Sequence, residues 1–366
     1  MESAIKVDLQ DRFAPFQLST HTYKRVGDDA SISRRCSYSK EVDSGKSPSP
    51  SFSEGKTTRD DTHSWRLAGE TTFIVCGKRD YPAWFSAWAL ELALKHDAII
   101  VNPDYRLLPG ARTDDILDDM DDLWKWVCHD LENEIQKKLD AREGIRVDLG
   151  RVFVLGDSAG GYLAVQTAIS HFNPESKEKS IRAVIAAYPM VDLRSPFWTK
   201  DYPKQVLDFP QFPNSIIDDF LVSVANPEER TVVSNTEPDD PRRVPLAIAL
   251  TQHGRYLEVL GTDRDPAPGK RRVHPEDRIA DGKLLPPALF LHGADDTAVS
   301  VSGTENFVEL LRKRKAVQGL DGEMDEKNVL RLVVAPGEHG FENDFHIDEA
   351  GWMEESIAFI EKHWLG

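Results

Sequence analysis

The sequence predicts an α/β fold: a mostly parallel central sheet covered by helices on both faces, with a cap. Three observations predict it. Short apolar runs alternate with helical patterns through the second half of the chain, the signature of strands buried between helices. The run VFVL at 152–155 leads directly into GDSAGG at 156–161 and then into a helical pattern. The stretch 191–282 breaks this alternation with prolines, short helical patterns and charged loops, as expected of an insertion that elaborates one edge of a sheet.

Residues 1–35 begin with a polar amphipathic segment, and 21–35 alternates loosely around Asp28-Asp29. That predicts a hairpin at a sheet edge, so 1–35 is read as a cap or edge segment. Over 36–64 the composition falls to Ser, Lys, Asp, Glu, Gly and Pro, which predicts a disordered loop; an insertion this long inside a compact domain is uncommon. The α/β domain is then 65–366, with the cap insertion at about 191–282. Strands are predicted at 71–76, 98–101 (AIIV), 181–188 (IRAVIAAY), 288–292 (ALFLH) and 329–335 (VLRLVVA), and helices at 83–95, 114–139, 303–313 and 349–363. Shorter helices are predicted near 215–225 and 245–260. The helix at 114–139 carries six aspartates in its first turns. Acidic residues suit the positive end of a helix, so these are read as capping and solvation and not as a metal site.

The chain has 62 Asp and Glu against 45 Lys and Arg, a net charge of -17. Nothing basic is concentrated enough to track a phosphate backbone, which argues against a nucleic-acid partner. Cys36, Cys76 and Cys128 have neither metal-ligand nor disulfide-framework spacing, so a reducing, cytoplasmic setting is expected. The first residues, MESAIKVDLQDRF, lack the basic and apolar regions of a signal peptide. No run of 18 apolar residues predicts a membrane span. No cofactor and no metal is expected.

The chemistry centres on Ser158. Glycines two residues either side, a strand before and a helix after turn G-x-S-x-G into a nucleophile elbow, which lifts the serine hydroxyl above the sheet. The N–H of the next residue, Ala159, then points at the substrate oxygen. A serine hydroxyl is a poor nucleophile without a base, and the base needs an orienting group. Both belong at the carboxyl ends of later strands. After ALFLH comes Gly293-Ala294-Asp295-Asp296; after VLRLVVA comes Pro336-Gly337-Glu338-His339-Gly340-Phe341. His339, in a glycine-rich turn just past a strand, is the candidate base. His346 is the fallback and His292, within a strand end, reads as structural. The acid is Asp295 or Asp296.

GDSAGG, NPDYRLLPG at 102–110, HGADD at 292–296 and GEHGF at 337–341 together resemble the α/β-hydrolase fold. Within it they are similar to the hormone-sensitive-lipase-like carboxylesterases of fungal type, from about residue 81 to the C-terminus. The resemblance implies hydrolysis of a small-molecule carboxylic ester through an acyl-enzyme, without a cofactor. It selects Asp296, which follows His-Gly after two intervening residues, as the acid and leaves Asp295 as the alternate. It makes Asp104-Tyr105-Arg106 scaffold and places some relatives in natural-product pathways. Amide or lactam cleavage and acyl transfer share the fold, as do hydrolase-like binding proteins. One departure stands out: the family's His-Gly-Gly-Gly oxyanion loop has no counterpart here. Gly77, with the amides around it, is the candidate replacement. The other readings of the departure are weak or altered chemistry, or a misread segment over 36–80.

Overall fold

The computed structural model describes residues 6–26, 30–39, 64–71, 82–138, 146–176, 178–224, 243–320 and 326–366. Most of the 36–64 stretch, together with Cys76 and Gly77, lies outside these residues. Eight strands form one sheet in the order β1-β2-β4-β3-β5-β6-β7-β8. They are β1 (Phe16–Val26), β2 (Ala30–Ser39), β3 (Ser64–Thr71), β4 (Ala98–Pro103), β5 (Arg146–Asp157), β6 (Ile181–Ala187), β7 (Ala288–Gly293) and β8 (Leu330–Ala335). From β4 to β8 every neighbouring pair is parallel. The β1–β2 hairpin adds two antiparallel strands at one edge.

The parallel strands alternate side chains between two buried faces, as crossover connections require. Phe153, Leu155, Ile185, Leu289 and Leu291 pack against α1 (Ala87–Lys95) and α11 (Gly351–Leu365). Val154, Val184, Ala186 and Phe290 pack against α4 (Ala159–His171) and α10 (Val301–Arg314) on the other face. Ile99, Val101 and Val152 meet α2 (Thr113–His129) and α3 (Leu131–Lys138). Removing one of these side chains costs about 2–5 kcal/mol through lost burial and a residual cavity.

The structure describes β3 over Ser64–Thr71, just ahead of the apolar run at 71–76. Past Thr71, the strand expected at 71–76 lies outside the described residues. Thr71 already pairs with Gly156, one residue short of the end of β5. The helix expected over 114–139 is two helices, broken at Asp130, whose N–H closes α2 on the Trp126 carbonyl at 2.8 Å. The break lets Leu131 and Ile135 share one apolar cluster with Trp126 and Val127.

The aspartates of α2 do more than cap. Asp115 accepts the Arg112 N–H, but buried Asp119 receives Arg106 Nη2 at 2.7 Å and Lys24 Nζ at 2.8 Å. The fork from Arg106 fastens the loop after β4 onto α2, which is how Asp104-Tyr105-Arg106 serves as scaffold.

Between β6 and β7 the chain leaves the sheet and forms α5 (Pro196–Thr199), α6 (Ser215–Ser223), α7 (Arg243–His253), α8 (Tyr256–Leu260) and α9 (Pro275–Ala280). Trp198, Ile217, Phe220, Leu250 and Tyr256 form one apolar cluster with Ala159, Tyr162 and Leu163 at the start of α4. The insertion thus sits over the carboxyl end of β5.

Candidate active site

Ser158 joins β5 to α4 with φ 55° and ψ -121°, a conformation that an L-residue holds only under strain of about 1–3 kcal/mol. The strain is sustained by its surroundings. Its N–H donates to Ala187 O at 2.9 Å, and its carbonyl accepts from Met190 N at 3.1 Å. A Cβ on Gly156 would stand 2.1 Å from the Gly160 carbonyl oxygen, so the strand can meet the helix this closely only with glycine there. Ala159, the first residue of α4, is buried.

His339 arrives from the turn after β8. Gly337, at φ +140°, lets that turn close, since a Cβ there would stand 2.5 Å from Phe341 Cβ. His339 Nε2 lies 3.1 Å from Ser158 Oγ, and Nδ1 lies 2.9 Å from Asp296 Oδ2. A carboxylate only accepts, so Nδ1 carries the proton and Nε2 presents its lone pair to the serine hydroxyl. Asp296 is fixed from behind: Oδ1 accepts the N–H groups of Ala298 at 2.9 Å and Val299 at 2.8 Å.

Burial pushes the Asp296 carboxyl up, but hydrogen bonds from His292 and His339 and the Val299 N–H outweigh it and hold it down at about 2. Burial pulls the His339 imidazole down, while the hydrogen bond and charge of Asp296 pull harder upward, and the net direction is up. The pair is an ionised acid orienting a base.

The other sequence candidates lie elsewhere. Asp295 is exposed, and its Oδ2 accepts the Gly337 N–H at 3.1 Å, away from the imidazole. His346 donates toward Glu91 Oε1 at 2.5 Å. His292 is fully buried behind the acid; its Nε2 lies 3.0 Å from Val299 O and 3.4 Å from Asp296 Oδ2, and its Nδ1 faces Thr304 Oγ1 at 2.8 Å. Because Val299 O can only accept, Nε2 bears the proton, and Nδ1 accepts from the threonine. Gly77 lies outside the described residues.

Sequence reading missed Tyr188. It follows β6 with φ 35°, and its ring centroid lies 4.5 Å from that of His339. Burial, then the Glu342 and Asp157 carboxylates, keep its phenol well above the ordinary range, so it is a neutral wall. Its position at the end of a predicted strand was legible; its contact with the imidazole depends on the positive φ and was not.

A cavity of 370 Å³ opens beside Ser158 and His339, walled mainly by Tyr188, Met190, Trp198, Val206, Ile248 and Tyr256. Among the described residues no cluster of His, Cys, Asp or Glu could hold a metal, and no helix is long and apolar enough to cross a membrane.

The parallel sheet, the strained serine between β5 and α4, and the histidine after the last strand define an α/β hydrolase. A family model described as the alpha/beta hydrolase fold matches residues 73–250. A probable carboxylesterase of Phoma sp. is 29% identical over 353 residues, covering 96% of this chain and 98% of that protein. A probable carboxylesterase of Cochliobolus lunatus is 31% identical over 206 residues, covering 56% and 88%. A non-reducing polyketide synthase of Preussia isomera is 25% identical over 269 residues, which is 68% of this chain and 12% of the synthase. An esterase of Pyrobaculum calidifontis shares the fold at a TM-score of 0.54 and 19% identity, over 97% of this chain and 88% of that one. The chain belongs to the α/β-hydrolase fold family, among its hormone-sensitive-lipase-like carboxylesterases, and is a carboxylic ester hydrolase.

Proposed function

We propose that Ser158, His339 and Asp296 form the catalytic triad of this hydrolase. His339 Nε2 takes the hydroxyl proton as Ser158 Oγ bonds to the ester carbonyl carbon, and Asp296 holds the tautomer that makes this possible. The tetrahedral oxyanion forms against the Ala159 N–H. The carbon–oxygen bond to the leaving alcohol breaks as His339 returns the proton to it. Water then attacks the acyl-enzyme, giving its proton to His339, and the carboxylic acid departs with Ser158 restored. The observation that carries this reading is the continuous Ser158–His339–Asp296 hydrogen-bond chain, which opens on the cavity.

The substrate is a neutral ester. The cavity wall contains no lysine or arginine among the described residues and includes Asp157, so a charged carboxylate on the substrate would find no counter-ion there. A second reading concerns context: the similarity to a polyketide synthase segment favours esters of natural-product type, in a cytoplasmic biosynthetic setting. Hydrolysis of p-nitrophenyl esters and labelling by a fluorophosphonate test the mechanism together. Ser158→Ala abolishes both if the reading is right; retained turnover would sink it. Product analysis with added alcohols or amines separates hydrolysis from acyl transfer.

A further inference from the structure

Glu338, immediately before His339, turns its side chain back onto the loop that carries Asp296. Oε1 accepts the Thr297 N–H at 2.6 Å and the His339 N–H at 2.9 Å. Oε2 accepts the Thr297 hydroxyl at 2.8 Å. That hydroxyl has one proton to give, and its oxygen accepts the Leu207 N–H at 2.7 Å. Leu207 belongs to the insertion, holds a positive φ of 49° and lines the cavity beside Val206. One carboxylate therefore ties the residue after Asp296 to the backbone of His339 and, through Thr297, to the cavity wall.

The bonds are arranged to hold distance. At the strand ends the two loops are already joined by Ala294 N to Ala335 O at 2.7 Å and Asp295 N to Gly337 O at 3.0 Å. The Glu338 bonds extend that seam to the residues that flank the acid and the base. Charge-assisted acceptors of this kind are stronger than neutral ones.

We propose that Glu338 and Thr297 are positioning residues, which set the Asp296–His339 separation and brace the Leu207 wall on the same carboxylate. This rests on the triad reading above. Misplacing a catalytic group by about 1 Å can cost about 100-fold in rate, so the effect belongs in kcat, with KM for a short ester little changed.

The experiment compares Glu338→Ala, Thr297→Val and Thr297→Ser with the unmodified enzyme on p-nitrophenyl acetate. It also records melting temperature and the downfield proton NMR signal of His339 Nδ1–H. Expected is a kcat loss of about 10–100-fold in Glu338→Ala and Thr297→Val, within the range for such displacement. The Nδ1–H signal shifts or broadens in both, and Thr297→Ser, which keeps the hydroxyl, recovers rate and signal. If Glu338→Ala does not fold, the threonine pair decides. Folded Thr297→Val with unchanged kcat and an unchanged signal overturns the proposal, as does a loss that Thr297→Ser fails to recover. Ser158→Ala runs beside them. Turnover surviving that change defeats the triad reading itself, whereas a required Ser158 with an indifferent Thr297 defeats only the positioning role.

Discussion

Asp296 Oδ2 and His339 Nδ1 lie 2.9 Å apart, and the remaining Asp296 oxygen is already occupied by two backbone N–H groups. An amide at this position can keep those two bonds only by turning its NH2 group toward the imidazole. His339 must then accept at Nδ1 and carry its proton at Nε2, facing a serine hydroxyl it can no longer deprotonate. Asp296→Asn is expected to fold and to lose about 10⁴-fold in kcat, the scale of the same tautomer error in a serine protease triad. Single-turnover rates on p-nitrophenyl acetate measure it, and a loss under tenfold counts against this geometry.

The same bond sets the acid limb of the pH profile. The base works only when neutral, and its pKa is raised above the usual 6.5. The kcat/KM of the free enzyme should therefore fall as pH drops through a value above 6.5. For stability, the sign follows from each partner. The raised histidine contributes below about 6.5, and that contribution is lost as pH rises through its folded value. The lowered aspartate contributes above its ordinary 3.8 and is lost as pH falls toward about 2. The triad pair thus stabilises the fold most between about 3.8 and 6.5, while activity requires pH above that range, where the histidine's contribution is being lost. A pH–rate profile beside thermal melts over pH 3–9 resolves the two.

Much of this site was legible because its parts sit at strand ends, where short motifs report them. GDSAGG, HGADD and GEHGF each encode one corner locally, and the pairing of β5 with β6 and β7 with β8 brings the corners together. Which aspartate faces the imidazole was not legible from spacing alone. Asp296 accepts two N–H groups of its own turn, which aims Oδ2 inward, whereas Asp295 is spent on Gly337 N–H. That difference is conformational, not compositional. β3 over Ser64–Thr71 was not legible for a related reason: it carries no apolar run and is fixed by pairing with β4 and β5.

Ser158 is expected to cost stability by its backbone. Its φ of 55° suits glycine, which has no Cβ to clash. Ser158→Gly should therefore melt higher than Ser158→Ala, which keeps the Cβ, by a few degrees, corresponding to about 1 kcal/mol after the glycine's larger unfolded-state entropy. Both variants lack the Ser158 hydroxyl, so the comparison reads backbone strain. Equal melting temperatures would show that the elbow is not strained.

The cavity wall should discriminate by acyl length. Ala247, on α7, lines the space beside Ile248 and Tyr256, so a larger side chain there takes volume directly from the substrate. Ala247→Phe is expected to lower kcat/KM for p-nitrophenyl octanoate by about 10–100-fold and for the acetate by less than about threefold, in line with the 1–3 kcal/mol value of small steric changes in apolar pockets. An equal loss on both esters would place acyl binding elsewhere.

Glu276 carries the last expectation, and it concerns stability away from the triad. It lies at the start of α9, its Oε1 accepts the Leu193 N–H at 3.2 Å, and its Oε2 is buried with no hydrogen-bond partner among the described residues. Burial, against its own backbone N–H and together with nearby Asp192, pushes the carboxyl up to about 7. An acid with a raised folded pKa binds its proton more tightly folded than unfolded. Stability is then highest below about 4.5, declines as pH rises and reaches its floor only above 7, a loss on the order of 3 kcal/mol from this group. Glu276→Gln keeps the acceptor for Leu193 and cannot ionise, so it should gain on the unmodified protein steadily from pH 5 to pH 8. Urea melts at those pH values measure the difference. A gap that does not widen with pH means that the Glu276 carboxylate is solvated or paired in the folded protein.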